Sequence, residues 1–414
     1  MLKLLKIKVR GYKLLEDDFE IDFTSKARVF DEDLEKEIYE IEEGLYSFRT
    51  IALVGGNASG KSTVLSLILK TIQLLQTGRW HYVPRDFKRD KIELEVVFYL
   101  DSELYLYKST LGKSSDLNMQ NQMITYSPIL KEKLIAAKYN KLKGKKNIDI
   151  LYLPNNKENH ALTESLGDTS AIIKLTRNSI YVDDYNSNTV TNFDTSLVRN
   201  TFIDSLSKCE KELLYSIIQL FDNSIEHIIY VNDDNVLFKR INEQERKMSY
   251  IELIGILSAG TIRGIELYIR AINALKNGSV FIVDEIENSF QKNLAYNLLL
   301  LFNNSEINKK NAQLIFSTHY VEILDMLKRR DGIFITHKNG TTIDAKNLYA
   351  DYNVRTELSK SKQFDNNVFD TIVNYQLLMK VRRILSNDIC ANNDWRNRWT
   401  RILKSVVREG LAQV

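Results

Sequence analysis

The residues with the clearest chemistry form the run GGNASGKS at positions 55–62. This run matches G-x-x-x-x-G-K-[ST] without deviation, the pattern of a phosphate-binding loop. Its glycines let the backbone curl so that successive N–H groups point at phosphate oxygens. Lys61 is expected against the β- and γ-phosphates, and the Ser62 hydroxyl is expected on Mg²⁺. The run therefore predicts a site for ATP and Mg²⁺, with nucleotide-binding residues Gly55, Asn57, Ser59, Gly60, Lys61, Ser62 and Thr63.

The flanking residues supply the elements that such a loop needs. Residues 50–54 (TIALV) are an apolar run that predicts a buried strand leading into the loop. Residues 62–77 carry apolar side chains at helical spacing, which predicts a helix leading out of it. The positive end of the helix dipole would then face the phosphates.

An acidic pair follows a second apolar run, VFIVDE at 280–285. Four apolar residues predict a buried parallel strand, and ligands of such sheets bind beyond the carboxyl ends of the strands. Asp284 is predicted to hold Mg²⁺, and Glu285 is predicted to act as the general base that orients the attacking water. The alternative is that both carboxylates only cap a helix.

His319 follows a third apolar run, QLIFST at 313–318. An imidazole changes protonation near neutral pH, so His319 is predicted to sense the γ-phosphate or the attacking water. The alternative is a structural hydrogen-bonding histidine.

A second anion-binding device is predicted at LSAGT, residues 257–261, which precedes a helical pattern over 262–275. Ser258 and Gly260 would offer a hydroxyl, open backbone N–H groups and a helix N-terminus. The same residues are also common at the start of an ordinary helix.

Taken in order, these four segments resemble the Walker A, signature, Walker B and H-loop motifs of ABC-type ATPases. More narrowly, the chain resembles soluble bacterial AAA-type, ABC-like ATP-binding proteins related to OLD-family and RecF/SMC-like ATPases. The stretches that carry this resemblance are VRGYKLLEDDFEIDF, IALVGGNASGKST, LSAGTIRGIEL, VDEIENSFQKNL and NAQLIFSTHYVEILD.

The resemblance implies an ATPase that works as a homodimer or higher homo-oligomer. Ser258 and Gly260 of one chain would cap the γ-phosphate held by the loop of another. Similar proteins are often encoded beside a toxin or nuclease in anti-phage systems, which implies a sensor or scaffold with a separate effector protein. The alternatives are a RecF/SMC-like DNA-binding repair clamp and the nucleotide-binding subunit of a transporter.

The sequence departs from these relatives in three places. Gln291-Lys292 stand where relatives often carry His-Pro after the ENS residues. The Q-loop glutamine is not fixed, with Gln120 and Gln122 as candidates. Residues 335–414 contain no DxD motif, so a nuclease domain of the OLD type is not expected.

Composition fits an ordinary globular protein, with 44% hydrophobic and 27% charged residues and a net charge of +3. Cys209 and Cys390 lie far apart, so neither a disulfide framework nor a zinc site is expected, and a cytoplasmic location without membrane partners is predicted. Nucleic-acid contacts would need local patches. The tail at 395–401 (WRNRWTR) could bind nucleic acid, an effector or a neighbouring protomer, and the alternative is plain helix packing with exposed arginines. A lysine-rich segment is the other candidate for DNA contact, and the alternative is a solvated helix face. Its lysines are Lys131, Lys133, Lys138, Lys141, Lys143, Lys145 and Lys146.

The predicted fold class is an α/β P-loop NTPase of the ABC-ATPase type. It has a central, mostly parallel sheet, an antiparallel N-terminal subsheet and an inserted helical lobe. The predicted divisions are an N-terminal ATPase lobe (1–110), an inserted mixed or helical lobe (111–245), a C-terminal ATPase lobe (246–345) and a helical extension (346–414).

Overall fold

The computed structural model describes residues 1–114, 126–152, 169–186, 210–232, 235–289, 292–353, 359–369 and 379–386. The chain divides into two compact units, Met1–Gln363 and Phe364–Val414. In the second unit, the rings of Phe364 and Phe369 lie 4.5 Å apart, and residues 379–386 are helical. All the segments singled out above as nucleotide-binding lie in the first unit.

A six-stranded sheet forms the centre of the first unit, in the order β16-β15-β5-β14-β13-β9. Every neighbouring pair is parallel except β15 and β16, which form an antiparallel hairpin. The strands are β5 (Thr50–Val54), β9 (Val182–Asn186), β13 (Val280–Asp284), β14 (Gln313–Thr318), β15 (Ile333–Asn339) and β16 (Thr342–Asn347).

The three middle strands explain why the sequence shows unbroken apolar runs. Every residue of β5, β13 and β14 is buried. A parallel strand covered on both faces has no solvent side, so its sequence does not alternate. The predicted strands at 50–54 and 313–318 match the observed bounds, and the strand predicted from the four apolar residues at 280–283 also includes Asp284.

A five-stranded antiparallel sheet, ordered β2-β1-β6-β7-β8, carries the N-terminal part of the chain. Asp101 and Ser102 connect β6 to β7 with φ of 49° and 67°, as a tight hairpin of this handedness requires. The strands are β1 (Lys3–Arg10), β2 (Phe19–Asp22), β6 (Lys91–Leu100), β7 (Glu103–Gly112) and β8 (Ile129–Lys138).

The predicted lysine-rich helix face is wrong in its secondary structure. Lys131, Lys133 and Lys138 lie on β8, which pairs with β7 over its length, and a 3₁₀ helix follows at Lys141–Lys146. Pairing with an existing sheet outweighs the helical preference of a run rich in Lys, Leu and Ala.

Two smaller sheets complete the described strands. One pairs β3 (Ile38–Glu42) with β4 (Leu45–Phe48), and the other has the order β10-β11-β12. The latter three are β10 (Ile225–Asn232), β11 (Asn235–Arg240) and β12 (Arg246–Ser249). Within the described part of residues 111–245, both helices and strands therefore occur.

The helix after the phosphate-binding run buries one face in the main core, with Val64, Leu65, Ile68 and Ile72 among the buried residues. No helix in the described ranges is long and apolar enough to cross a bilayer. The α-helices are α1 (Asp31–Glu35), α2 (Lys61–Thr77), α3 (Asn147–Ile150), α4 (Ile173–Thr176), α5 (Lys211–Phe221), α6 (Tyr250–Ile256), α7 (Ala259–Asn277), α8 (Lys292–Asn303) and α9 (Lys360–Asp365).

Candidate functional site

The loop between β5 and α2 has the backbone that its glycines predict. Gly60 has φ of +108°, and Ala58 is also left-handed at +58°. A Cβ on Gly60 would lie 2.4 Å from Cγ2 of Ile343, and one on Gly55 would lie 2.5 Å from the carbonyl oxygen of Thr336. Both glycines are therefore required by space, and Gly60 is also required by conformation.

Lys61, the first residue of α2, reaches back over this loop. Its Nζ donates to the carbonyl oxygens of Gly55 at 3.0 Å and Gly56 at 3.2 Å, and the residue is only 5% exposed. Burial lowers the pKa of Lys61, while the negative charges of Glu285, Glu287 and Asp284 act in the opposite direction. The ammonium group is thus held in a buried position next to carboxylates.

The β15–β16 hairpin supports the loop from the other side. The hydroxyls of Ser59 and Thr336 are hydrogen-bonded at 2.6 Å, and the Ile343 side chain lies against Gly60. Ile343 is itself fixed by backbone hydrogen bonds to Leu14 and Glu16. This hairpin links the loop to the N-terminal antiparallel part of the molecule.

At the end of β13, Asp284 and Glu285 are tied to the neighbouring strand through Ser317. The Ser317 hydroxyl donates to Asp284 Oδ1 at 2.5 Å and accepts the backbone N–H of Glu285 at 2.7 Å. Glu285 adopts a left-handed φ of +53°, and its Oε2 accepts a hydrogen bond from Asn288 Nδ2. A non-glycine residue in this region is strained, and such strain is concentrated at functional sites.

His319 lies between the loop and the acidic pair. Its Nδ1 is 3.5 Å from Lys61 Nζ, and its Nε2 is 3.7 Å from Glu285 Oε1. Its backbone N–H donates to a carboxylate oxygen of Glu287. The reason is strand order: β14 lies between β5 and β13, so the residue after β14 sits between the residues that follow the other two strands.

Ser258 and Gly260 lie apart from this cluster in their bonding. Ser258 is the N-cap of α7, where its Oγ accepts the backbone N–H of Thr261 at 3.0 Å. Ser258, Ala259 and Gly260 are all exposed. Among the described residues, no hydrogen bond joins Ser258 or Gly260 to the loop of the same chain.

The structure thus brings Lys61, Asp284, Glu285 and His319 together at one edge of the sheet. Asn57 and Ser62 are exposed on the loop and at the helix start, and Thr63 is half-buried.

The candidate Q-loop residues Gln120 and Gln122, and Gln291, lie outside the described residues. Four further residues of the site carry no recognisable motif in the sequence: Ser317, Glu287, Thr336 and Ile343.

These features define the class of protein. The fold is a P-loop NTPase fold of the ABC-ATPase type. It has a glycine-rich loop between a buried strand and a helix, and it has an acidic pair and a histidine at the same edge of a mostly parallel sheet. More specifically, the chain belongs to the family described as "AAA domain, putative AbiEii toxin, Type IV TA system", which matches residues 51–325.

Several solved structures have a similar chain trace at low sequence identity. An SMC head domain from Thermotoga maritima is 12% identical (TM-score 0.39; 84% of this chain and 100% of that chain covered). An SMC head bound to the C-terminal winged-helix domain of ScpA is 13% identical (TM-score 0.43; 83% and 97% covered). A dimeric ATP-binding cassette in a post-hydrolysis state with ADP and Pi is 10% identical (TM-score 0.33; 84% and 100% covered). No curated protein matches the chain.

Proposed function

We propose that this chain is a cytoplasmic ATPase that binds ATP with Mg²⁺ and uses the nucleotide as a switch for association with a second copy. The observation that carries the proposal is the convergence of Lys61, His319 and Glu285. Lys61 Nζ lies 3.5 Å from one ring nitrogen of His319, and Glu285 lies 3.7 Å from the other. Three segments distant in sequence thereby place a cation, an imidazole and a carboxylate next to a phosphate-binding loop.

The residues present fit the proposed nucleotide and metal. The loop offers backbone N–H groups at a helix start, and Lys61 supplies a buried ammonium for the phosphates. Ser62 supplies an exposed hydroxyl, and Asp284 supplies a buried carboxylate, which are ligands suited to Mg²⁺. When bound, Mg²⁺ would neutralise charge on the phosphate oxygens.

The chain's own residues then account for hydrolysis. Glu285 is placed to accept a proton from a water molecule, and its fixed backbone holds the carboxylate at the sheet edge. His319 is placed near the phosphate end of the site, where its Nδ1 can accept a hydrogen bond from the ammonium of Lys61 and its Nε2 is left as the donor. Lys61 stabilises negative charge that develops on the leaving phosphates.

The exposed signature residues support a dimer. Ser258 and Gly260 stand at the exposed N-terminus of a 19-residue helix, α7, and have no bond to the loop of their own chain among the described residues. If this helix N-terminus lay against the phosphate-binding loop of a second copy, its free backbone N–H groups and the Ser258 hydroxyl would contact the nucleotide from the side opposite the loop. ATP would then hold two copies together, and hydrolysis would release them.

For the biological role we propose the sensor or scaffold component of a bacterial anti-phage system, acting on a separate effector protein such as a toxin or nuclease. The family description names a putative AbiEii toxin of a type IV toxin–antitoxin system, which supports a place for this chain in a system of that kind. Co-purification of the product of the neighbouring gene would support the sensor. ATPase activity stimulated by DNA would instead favour a repair clamp that contacts DNA through the exposed lysines of β8, Lys131, Lys133 and Lys138.

The first test is a Lys61→Ala variant. Removing the ammonium should abolish ATP binding, measured by calorimetry and by the thermal shift that saturating ATP with Mg²⁺ gives the wild-type chain. A ligand at about 100 times its Kd stabilises the folded state by about 2.7 kcal/mol, which a melting curve resolves easily.

A Lys36→Ala variant is the matched control, because Lys36 is an exposed lysine outside the site. It should bind ATP like the wild type. If Lys61→Ala bound ATP with normal affinity, the assignment of the phosphate site would be wrong.

A further inference from the structure

Glu287 contacts the histidine of the site. It lies on the 3₁₀ turn Ile286–Ser289, directly after the acidic pair. One of its carboxylate oxygens, Oε1, accepts the backbone N–H of His319. Glu287 thus holds the main chain of His319, whose ring lies between Lys61 and Glu285.

The hydrogen bond between Glu287 and His319 lies just beyond the last backbone pair of strands β13 and β14. The paired register between β13 and β14 ends at Val283 and Phe316, and β14 itself ends at Thr318. Beyond that point, side chains join the two segments: Ser317 bonds to the acidic pair, and Glu287 bonds to His319. The position of the His319 backbone is therefore set by a side-chain acceptor rather than by the β-ladder.

The whole carboxylate of Glu287 is enclosed at this edge of the sheet. Its Oε2 is buried, and its Oε1 accepts the His319 N–H. The side chain is thus held inside the site, within reach of the His319 peptide group.

We propose that Glu287 is a positioning residue for ATP hydrolysis, which fixes the His319 backbone so that the imidazole stays between Lys61 and Glu285. The proposal rests on the ATPase function proposed above. It predicts that loss of the Glu287 acceptor slows the chemical step while ATP still binds, because neither Gly55 nor Lys61 contacts Glu287 through a hydrogen bond.

The test compares Glu287→Ala, which removes the acceptor, with Glu287→Gln, whose side-chain carbonyl oxygen can accept the same N–H. The matched control is Glu40→Ala, which removes an exposed glutamate that accepts the backbone N–H of Gly44 at 3.2 Å in the β3–β4 hairpin. Three quantities are measured: kcat at saturating ATP and Mg²⁺, the Kd for ATP, and amide hydrogen exchange over residues 317–320.

Glu287→Ala should lower kcat about tenfold or more and change the Kd for ATP by less than about threefold, with faster exchange at His319. Glu287→Gln should recover most of the activity and the protection. The control should match the wild type in all three quantities.

Three results would overturn the proposal: a wild-type kcat in Glu287→Ala, a defect confined to ATP affinity, or a Glu287→Gln variant as slow as Glu287→Ala with His319 still protected. If the wild-type chain bound ATP without hydrolysing it, the proposed function would fail instead. The exchange comparison would then still decide whether Glu287 holds His319.

Discussion

At the scale of single residues, the site is a short chain of contacts rather than a set of separate motifs. His319 faces Lys61 with one ring nitrogen and Glu285 with the other. Glu285 is held in a left-handed backbone conformation by Ser317 and by its neighbour Asn288. Ser317 therefore fixes the backbone of Glu285 and Asn288 fixes its carboxylate, which is what a general base needs if it is to orient a water molecule.

Glu285→Gln tests the role of this carboxylate. The amide keeps the size of the side chain but cannot accept a proton, so ATP should still bind while hydrolysis slows on the order of a hundredfold or more. The wild-type dimer should dissociate as ATP is consumed, whereas the variant should stay associated. Single-turnover kinetics and light scattering measure the two effects, and unchanged turnover would remove Glu285 as the base.

At the scale of elements, the phosphate-binding loop depends on the β15–β16 hairpin as much as on its own strand and helix. The hairpin supplies the Thr336 hydroxyl that bonds to Ser59 and the Ile343 side chain that lies against Gly60. Both contacts join residues more than 270 positions apart in the sequence. The loop is thus held in place by a hairpin that carries no nucleotide-binding motif of its own.

Gly60→Ala should disrupt this arrangement. The new Cβ would meet Ile343 Cγ2 at 2.4 Å, and the residue would keep an unfavourable φ of +108°, so the loop would have to move. We expect ATP binding to be lost, as measured by calorimetry, while the remainder of the molecule stays folded by circular dichroism.

Gly340→Ala is the control for backbone strain without a clash. Gly340 has φ of +62° at the turn of the same hairpin, and a Cβ there would meet nothing within 4 Å. It should cost about 1 kcal/mol of the free energy of unfolding and leave ATP affinity intact. If Gly340→Ala weakened ATP binding as much as Gly60→Ala, the contact with Ile343 would not be the cause.

At the scale of the whole molecule, the proposed dimer predicts a site shared between two copies. A Lys61→Ala chain keeps its signature residues, and a Ser258→Arg chain keeps its loop. In a mixed dimer of the two, one of the two shared sites would combine an intact loop with an intact signature segment.

Mixing the two variants should therefore restore ATPase activity that neither has alone. With random pairing, half of the dimers are mixed and each has one of its two sites intact, so about a quarter of wild-type activity is expected. Steady-state ATPase measurements over a range of mixing ratios check this. Activity that stayed at the sum of the two separate variants would argue against a shared site.

The sequence predicted the local parts of this site well, because those parts are encoded by short-range patterns. The apolar runs at 50–54 and 313–318 become β5 and β14 at the expected residues, and 280–285 becomes β13 up to Asp284. The predicted helix after the loop becomes α2, one residue earlier than expected. The helix predicted for the lysine-rich segment is wrong for Lys131, Lys133 and Lys138, because they are paired in β8 and strand pairing depends on distant residues.

What the sequence determined by itself was the chemistry of each segment: a loop with the residues for phosphate, a carboxylate pair after a buried strand, and a histidine after another. What only the tertiary structure decided was the strand order β5-β14-β13, which sets His319 between Lys61 and Glu285. It also decided that Glu287, Ser317, Thr336 and Ile343 support the site. The physical reason is that spacing along the chain fixes hydrogen bonds within a segment, whereas contacts between segments depend on how the strands pair and pack.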